Sequence, residues 1–407
     1  MLNLAYFSPL PPSHTGIADY SAELLPALSR YANLTVFHET PEMVAPTLKT
    51  QFPILPHEDY PSQRWSYDLP FYQMGNSATH TALYPMALRY PGVITLHDFV
   101  LHQFIEALTR RQGRVYHYLQ EIAYSFDEDR FPFGSYPSLH RAVEKGDAFY
   151  DLTPLNQRLV DRSLGVLVHS HYVRRRLQKQ RRDRPVRVIH HQMEPASMTQ
   201  ALRQMAGWPD EAVVVAVLGQ ITWAKRVDVV LRVFRRLHQV FPHTRLLLVG
   251  EAFPAELDLP TLLTETGLGE VVHYTGFVPD LAQFVNWIAA ADFIVNLRHP
   301  TTGETSGTAL RALAQGKPVI VFDQGWYAEL PSEIAWKVPV MDEEALYQAM
   351  QTLVEEPTLR QKMGHAAAQY ILTHCGRDKI AQEITTFLAE VIAMTRQRLP
   401  QVAAASR

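Results

Sequence analysis

Residues 296–322, NLRHPTTGETSGTALRALAQGKPVIVF, place small and hydroxyl-bearing side chains immediately ahead of a short helical pattern. The small residues are Thr301, Thr302, Gly303, Thr305, Ser306, Gly307 and Thr308, while Ala309, Leu310, Leu313 and Ala314 give the helix one apolar side. Gly316 stops that helix, Pro318 blocks its return, and residues 319–322 read as a buried parallel strand. A helix start leaves backbone N–H groups unpaired, and those amides with the helix dipole favour an anion, most often a phosphate. Glu304 in the same loop offers a carboxylate to hydroxyl groups of whatever carries the phosphate. Taken alone, the pattern is also that of an ordinary N-capped helix.

Three other positions carry comparable chemistry. Lys225 lies in the loop that follows the apolar run 213–218, where its ammonium would neutralise a phosphate as a point charge. Gly16 closes the loop SPLPPSHTG after the run 2–7 and would let backbone approach a phosphate closely. His97 stands with Asp98 just past the run 92–96, placed to hydrogen-bond a ligand hydroxyl, shuttle a proton or simply cap the next helix. His102, one turn further on, reads as structural.

These residues need strand ends to hold them, and the chain supplies two sets. In the first half, strands are expected at 2–7, 33–38, 70–74, 92–96, 165–170 and 188–191, with a helix after Gly16 that turns Ile17, Tyr20, Leu24, Leu25 and Leu28 inward. The second half starts afresh, with strands at 213–218, 246–249, 273–277, 293–297 and 319–322 and a helix at 227–241. Helices are expected at 342–355 and 359–374, and a last amphipathic one at 380–398. Strand, glycine-bearing loop, helix, strand is the opening of a doubly wound domain, in which ligands bind beyond the carboxyl ends of the strands. Neither opening loop spells G-x-G-x-x-G, which disfavours a dinucleotide-dependent dehydrogenase.

Length and composition agree with two such domains. The 407 residues exceed what one core usually supports, and 47% hydrophobic with 19% charged content describes a folded chain. A net charge of -3 gives no reason to expect nucleic acid as a partner. One cysteine, Cys375, suits a reducing compartment, and the N-terminus has no secretory pattern, so a cytoplasmic protein is expected. Residues 101–165 are rich in Phe104, Tyr116, Tyr118, Tyr124, Phe126, Phe131, Phe133 and Tyr136 and read as a helical insertion that shapes a pocket. Within them, residues 127–129 read as a solvated acidic turn and not as a metal-binding D-x-D. The stretch 172–187 carries Arg174, Arg175, Arg176, Lys179, Arg181, Arg182, Arg184 and Arg187. A basic helix of this kind can lie on anionic headgroups, each charge contributing on the order of 1 kcal/mol; a solvated surface helix is the alternative.

On these residues the chain resembles the large retaining glycosyltransferase family that holds sucrose synthases, bacterial mannosyltransferases and lipopolysaccharide glucosyltransferases. The resemblance runs over nearly the whole chain. It rests, in order, on PPSHTGIADYSAELLPAL, LHD at 96–98, VLVHSHYVRRRL, VLGQITWAKRVDVVLRVF, HYTGFVPD and SGTALRALAQGKPVIV. It implies the α/β fold called GT-B: two Rossmann-like domains facing across a cleft. Residues 1–195, with the insertion 101–165, would form the acceptor side; residues 208–375 would bind a nucleotide sugar; residues 376–400 would cross back to the first domain.

Carried over by position, the resemblance assigns catalytic roles to His97, Lys225 and Glu304. Gly16 would face the donor's diphosphate, His97 the donor sugar, Lys225 the diphosphate oxygens and Glu304 the sugar hydroxyls. The turn around Phe277 and Val278 would hold the nucleobase, and amides near Thr305, Ser306, Gly307 and Thr308 the distal phosphate. Gln220 stands where the family usually has an arginine, which removes one bidentate phosphate partner. Counting back from Gly316, the family's two glutamates fall on Gly303 and Arg311, so Glu304 matches the first only if the loop is one residue shorter. Arg311 replaces the carboxylate that holds the ribose, and its charge could serve the phosphates instead. The implied reaction moves a hexose from a nucleotide diphosphate sugar to an acceptor hydroxyl of a glycan or lipid-linked glycan, with retention, no metal and no cofactor beyond the donor. The rivals are a non-catalytic member that binds a sugar nucleotide or glycan, and a sugar-nucleotide epimerase on the same fold. A peripheral location at the inner face of the membrane would follow from the basic stretch.

Overall fold

The structure, a computed structural model, describes residues 1–125, 150, 153–180, 184–196, 202, 206–209, 211–253 and 257–405, with side chains as far as residue 397. The acidic turn 127–129, the aromatics Phe126, Phe131, Phe133 and Tyr136, and Arg181 and Arg182 lie outside the described residues. The chain forms two units. The first comprises Met1–Gln192, Thr302–Thr305 and Arg377–Arg407, and the second Met193–Thr301 and Ser306–Gly376. The expected division did not assign Thr302–Thr305 to the first unit.

In the first unit the described strands are β1 (Leu2–Phe7), β2 (Ala32–His38), β3 (Ile54–Pro56), β4 (Leu69–Met74), β5 (Val93–Leu96), β6 (Gly165–Val168) and β7 (Val186–Val188). They form one parallel sheet in the order β3-β2-β1-β4-β5-β6-β7. Both faces are covered, so the strands are apolar on both sides. Leu4 and Tyr6 face one core with Leu24, Leu28 and Phe71, and Ala5 and Phe7 face another with Phe37, Tyr72 and Ile94.

The second unit repeats the plan with β8 (Val213–Leu218), β9 (Thr244–Val249), β10 (Val272–Tyr274), β11 (Phe293–Val295), β12 (Val319–Phe322) and β13 (Ala335–Val338). Its order is β10-β9-β8-β11-β12-β13, again all parallel. Val213, Val215 and Val217 point to one core, and Val214, Ala216 and Leu218 to the other. In such sheets the crevice for a ligand opens where the strand order reverses. That point lies beside β1 and β4 in one unit and beside β8 and β11 in the other, and the loops carrying Gly16, Lys225 and Ser306 leave these strands.

The structure corrects several expected elements. Among the described residues the basic run is helical over His171–Gln180, and Arg187 lies in β7 opposite Leu167, because Pro185 intervenes and its carbonyl bonds the Val166 amide. The first unit's last strand is therefore Val186–Val188, and not 188–191. β10 ends at Tyr274, so Phe277 sits in a loop. The short edge strands β3 and β13 escape the sequence pattern: the residues of β3 are only half-buried, and the buried Ala335 and Val338 of β13 are three apart instead of alternating. The helices Leu259–Thr266 and Leu281–Ala290 also went unread, although Asp258 and Asp280 cap them.

The last helix, Arg377–Ala405, begins earlier and runs further than expected and belongs to the first unit. Ile380, Ile384, Phe387, Leu388 and Val391 bury against the core built on Leu4, Tyr6 and Leu24. Gly165, at the start of β6, makes room for this helix: a Cβ there would lie 2.9 Å from Val391 Cγ2 and 3.3 Å from Phe387 Cζ. Gly165→Val is therefore expected to destabilise the first unit by about 1–3 kcal/mol through overpacking. Urea unfolding measures it, and an unchanged midpoint would count against this packing.

Candidate functional site

In the second unit the site begins with Gly219, directly after β8. Its φ of +82° suits glycine, and a Cβ would lie 2.8 Å from Lys225 Nζ and 3.0 Å from Thr308 Cγ2. The lysine that follows β8 and the helix start that follows β11 thus meet over a residue with no side chain. Lys225 Nζ is anchored on the Leu218 carbonyl. Ser306 caps the helix Gly307–Ala314, its Oγ accepting from the Ala309 amide at 3.2 Å. Behind these groups stands Asn296, buried just after β11. It donates from Nδ2 to Thr308 Oγ1 at 3.0 Å, and its Oδ1 accepts from Tyr327 Oη at 3.1 Å and from Ser306 Oγ at 3.3 Å. With Ser306 Oγ and Thr308 Oγ1 held in this way, the Gly307 and Thr308 amides are the groups left to meet an anion.

Around this centre the other expected residues divide. Gln220 is exposed on the loop rim. Phe277 is 46% exposed beside Gly276, while Val278 packs on the core. The guanidinium of Arg311, one turn into the helix, lies 3.9 Å from Met193 Sδ. Arg226, directly after Lys225, adopts the left-handed region with φ +50° and is paired to the buried Asp228 at 3.1 Å.

In the first unit, Thr15 caps the helix Gly16–Leu28 by accepting from the Ala18 amide at 3.1 Å. Gly16 is exposed, and a Cβ there meets nothing within 4 Å. Directly after β4, Gly75 leaves room for three side chains, since a Cβ there would lie 2.3 Å from Ile17 Cδ1, 3.0 Å from Asp98 Oδ2 and 3.3 Å from His80 Cε1. Asp98 ties three segments together. Its Oδ2 accepts from the Asn76 amide at 2.8 Å, and its Oδ1 faces Thr302 Oγ1 at 3.0 Å. The Val100 amide donates to the Thr302 carbonyl at 2.9 Å, and the Glu304 carboxylate accepts from the Thr302 amide at 2.7 Å. Glu304 therefore stands on a segment fastened to the loop that also carries His97.

His97 itself is half-buried, with Nε2 3.0 Å from Gln73 Oε1 and the ring edge-on to Tyr20 at 4.7 Å. Burial, followed by the neighbouring His169, His191 and His80, holds it well below the usual histidine range, so it is neutral at pH 7. His169 is pushed down to about 3 by burial, and His80, His57 and His102 each to about 4 for the same reason. His102 bonds the Thr153 carbonyl and Tyr118 Oη at 2.6 and 2.7 Å, which makes it the structural residue expected. Gln73, His169 and Asn296 lie on or beside apolar strands where pattern reads them as core, and Tyr20, which pattern reads only as an inward residue of the first helix, meets the His97 ring.

Residues 212–356 match the family model described as "Glycosyl transferases group 1". A D-inositol 3-phosphate glycosyltransferase of Streptomyces avermitilis is 28% identical over 190 residues, covering 43% of this chain and 39% of that relative. The match therefore spans well under two thirds of the relative's length. Among solved structures, a sucrose-phosphate synthase from Thermosynechococcus elongatus aligns with a TM-score of 0.68 at 16% identity, over 97% of this chain and 100% of that one. Anabaena HepE in complex with UDP-glucose aligns at 0.65 and 16% identity over 96% and 100%, and WaaG, a glycosyltransferase involved in lipopolysaccharide biosynthesis, at 0.62 and 13% over 95% and 99%. At these identities the likeness is one of fold, and it is the GT-B fold of two Rossmann-like α/β domains.

Two outcomes follow from this geometry. Gly16→Ala should leave stability within about 0.5 kcal/mol while weakening a nucleotide ligand, whereas Gly219→Ala should cost about 1–3 kcal/mol through its left-handed backbone and the lysine contact. Calorimetry with and without ligand distinguishes them, and a Gly16→Ala protein of unchanged affinity would remove Gly16 from the site. The buried neutral histidines bind fewer protons folded than unfolded, so each contributes stability that is complete above about pH 6.5 and is lost at roughly 1.4 kcal/mol per pH unit as pH falls toward its folded value. Unfolding of the first unit should accordingly become easier from pH 6.5 to 4.5, with a steeper slope than the second unit; parallel slopes would contradict the burial of these rings.

Proposed function

We propose that this chain, which carries a glycosyl transferases group 1 domain, transfers a hexose from a nucleotide diphosphate sugar to an acceptor hydroxyl with retained anomeric configuration. One observation carries the reading: Lys225 and the start of the helix Gly307–Ala314 meet over Gly219 at the reversal of strand order in the domain that matches the family. An ammonium and open helix amides suit a leaving diphosphate, whose negative charge grows as the glycosidic bond breaks. The bond between the anomeric carbon and the diphosphate oxygen breaks with its electron pair going to phosphate. The acceptor oxygen bonds the same carbon from the same face, and its proton passes to the departing phosphate oxygen. No metal and no carboxylate nucleophile is needed in this scheme, unlike the two-carboxylate hydrolases.

In this reading Gly16 faces the diphosphate, His97 and Glu304 take sugar hydroxyls, and the turn at Phe277 and Val278 takes the base. The acceptor is a glycan or lipid-linked glycan. Arg175 and Lys179, the exposed cations of the helix His171–Gln180, would meet anionic headgroups, while Arg176 stacks over Phe99 at 4.3 Å. Among the described residues, no helix is long and apolar enough to cross a membrane. A second reading, a member that binds a sugar nucleotide without turnover, is favoured by Gln220 and by Arg311, which lies beside Met193 Sδ.

A thermal-shift screen against UDP-, GDP-, ADP- and TDP-sugars, followed by acceptor-dependent release of the nucleoside diphosphate, decides between the two. Transfer requires release that depends on acceptor, with product of unchanged anomeric configuration by NMR. Binding without turnover supports the second reading, and release with donor alone points to epimerisation or hydrolysis. Lys225→Ala should lower kcat by about 10²–10³, the scale of losing one group that stabilises the leaving charge; an unchanged kcat would overturn its role.

A further inference from the structure

His97 is held from behind by a residue with no other evident purpose. Gln73 is fully buried near the end of β4, and its Oε1 lies 3.0 Å from His97 Nε2. An amide oxygen only accepts, so this contact puts the proton of the neutral imidazole on Nε2 and leaves a lone pair on Nδ1. Gln73 Nε2 is itself buried without a partner, an arrangement that costs stability and that native structures keep for a reason. His97 Nδ1, by contrast, has no partner among the described residues and is not sealed from solvent.

The ring has little freedom to turn away. Tyr20 lies edge-on at 4.7 Å and His169 tilted at 5.1 Å, with His191 a further 5.3 Å from His169. His169 is oriented by the same device, since its Nδ1 faces the Ile189 carbonyl at 2.9 Å and must donate to it. Among the described residues these rings form no metal-holding group. The cluster therefore acts on His97 through packing and one directed hydrogen bond.

We infer that Gln73 is a positioning residue: it fixes His97 as the Nε2–H tautomer, so that Nδ1 accepts a hydrogen bond from a hydroxyl of the transferred sugar. The inference rests on the reading that His97 meets that sugar. It gives the specificity a direction, because a ligand group that can donate is accepted at Nδ1 and one that can only accept is repelled.

The test combines a spectroscopic and a kinetic arm. In protein labelled with ¹⁵N-histidine, wild-type His97 should show a protonated Nε2 and a bare Nδ1, and Gln73→Met should lose that single tautomer. With the best donor, Gln73→Met should lower kcat/KM roughly tenfold, the size of one hydrogen bond. In a His97→Asn background, where the Asn amide oxygen presents an acceptor near the Nδ1 position unaided, Gln73→Met should add less than about twofold. Equal losses in both backgrounds, or a wild-type ring protonated on Nδ1, would overturn the inference. Should Gln73→Met fail to fold, the wild-type tautomer decides, together with Gln73→Glu, whose carboxylate still accepts and must keep Nε2 protonated. Should no donor be turned over, the proposed function fails, while the tautomer measurement still decides the role of Gln73.

Discussion

The second unit depends on backbone approaching backbone where β8, β9 and β10 end. Gly219, Gly250 and Gly276 follow these strands in turn, with φ of +82°, +139° and +68°. The Gly219 amide donates to the Val249 carbonyl at 2.7 Å and the Gly250 amide to the Gly276 carbonyl at 3.1 Å. A Cβ on Gly250 would lie 2.1 Å from the Gly219 carbonyl oxygen. An L-residue at any of the three would be strained by its positive φ, and at Gly250 its Cβ would also collide with the Gly219 backbone, so these strand ends pack in one close layer. Lys225 and Phe277 owe their places to this layer, one by reaching back over Gly219 and the other by following Gly276.

The first unit solves the same problem with a carboxylate. Asp98 follows β5, receives the Asn76 amide from the loop after β4, and faces the Thr302 hydroxyl. Thr302 and Glu304 then bond within their own short segment. A carboxylate that accepts from amide and hydroxyl donors is worth more than a neutral acceptor, and it fixes direction as well as distance. The half-buried His97 is therefore flanked by a rigid neighbour on the chain and by Gln73 across the sheet. Positioning of this kind matters for the role proposed for His97, since small displacements weaken a hydrogen bond steeply.

Much of this was legible in the sequence because it is local. A loop after an apolar run, a lysine within it, and a hydroxyl ahead of a helical pattern are near-neighbour relations, so Lys225, Ser306 and the strands that bear them could be placed. What could not be read depends on contacts across the sheet. Gln73 sits within LPFYQM and Asn296 directly follows FIV, where pattern marks only apolar strand and loop. His169 and Tyr20 read as a core position and a helix face, and their meeting with His97 appears only when β5, β6 and the first helix are folded together. Edge strands escape the pattern for a related reason, since β3 is only half-buried and the two buried residues of β13, Ala335 and Val338, are three apart. The basic run was read too long because charge continues through Pro185 while helical geometry does not.

The departures at Gln220 and Arg311 bear differently on the chemistry, and exposure decides between them. Gln220 is on the exposed rim of the loop, where a guanidinium would act through water. At 4 Å in that medium two unit charges attract by about 1 kcal/mol, against about 4 kcal/mol at the effective dielectric near a protein surface. In the proposed reaction, losing an arginine there removes affinity more readily than transition-state stabilisation. Lys225 is partly buried, tied to the Leu218 carbonyl and set beside the helix start, so its charge is screened less and costs little to orient. Arg311 adds a cation one turn along the same helix, although its guanidinium lies against Met193 and not at the helix's first turn. In the proposed reaction the electrostatic burden falls on Lys225 and the Gly307 and Thr308 amides, a smaller set than the family pattern implies, set beside a turn whose Gly219 has a φ of +82°.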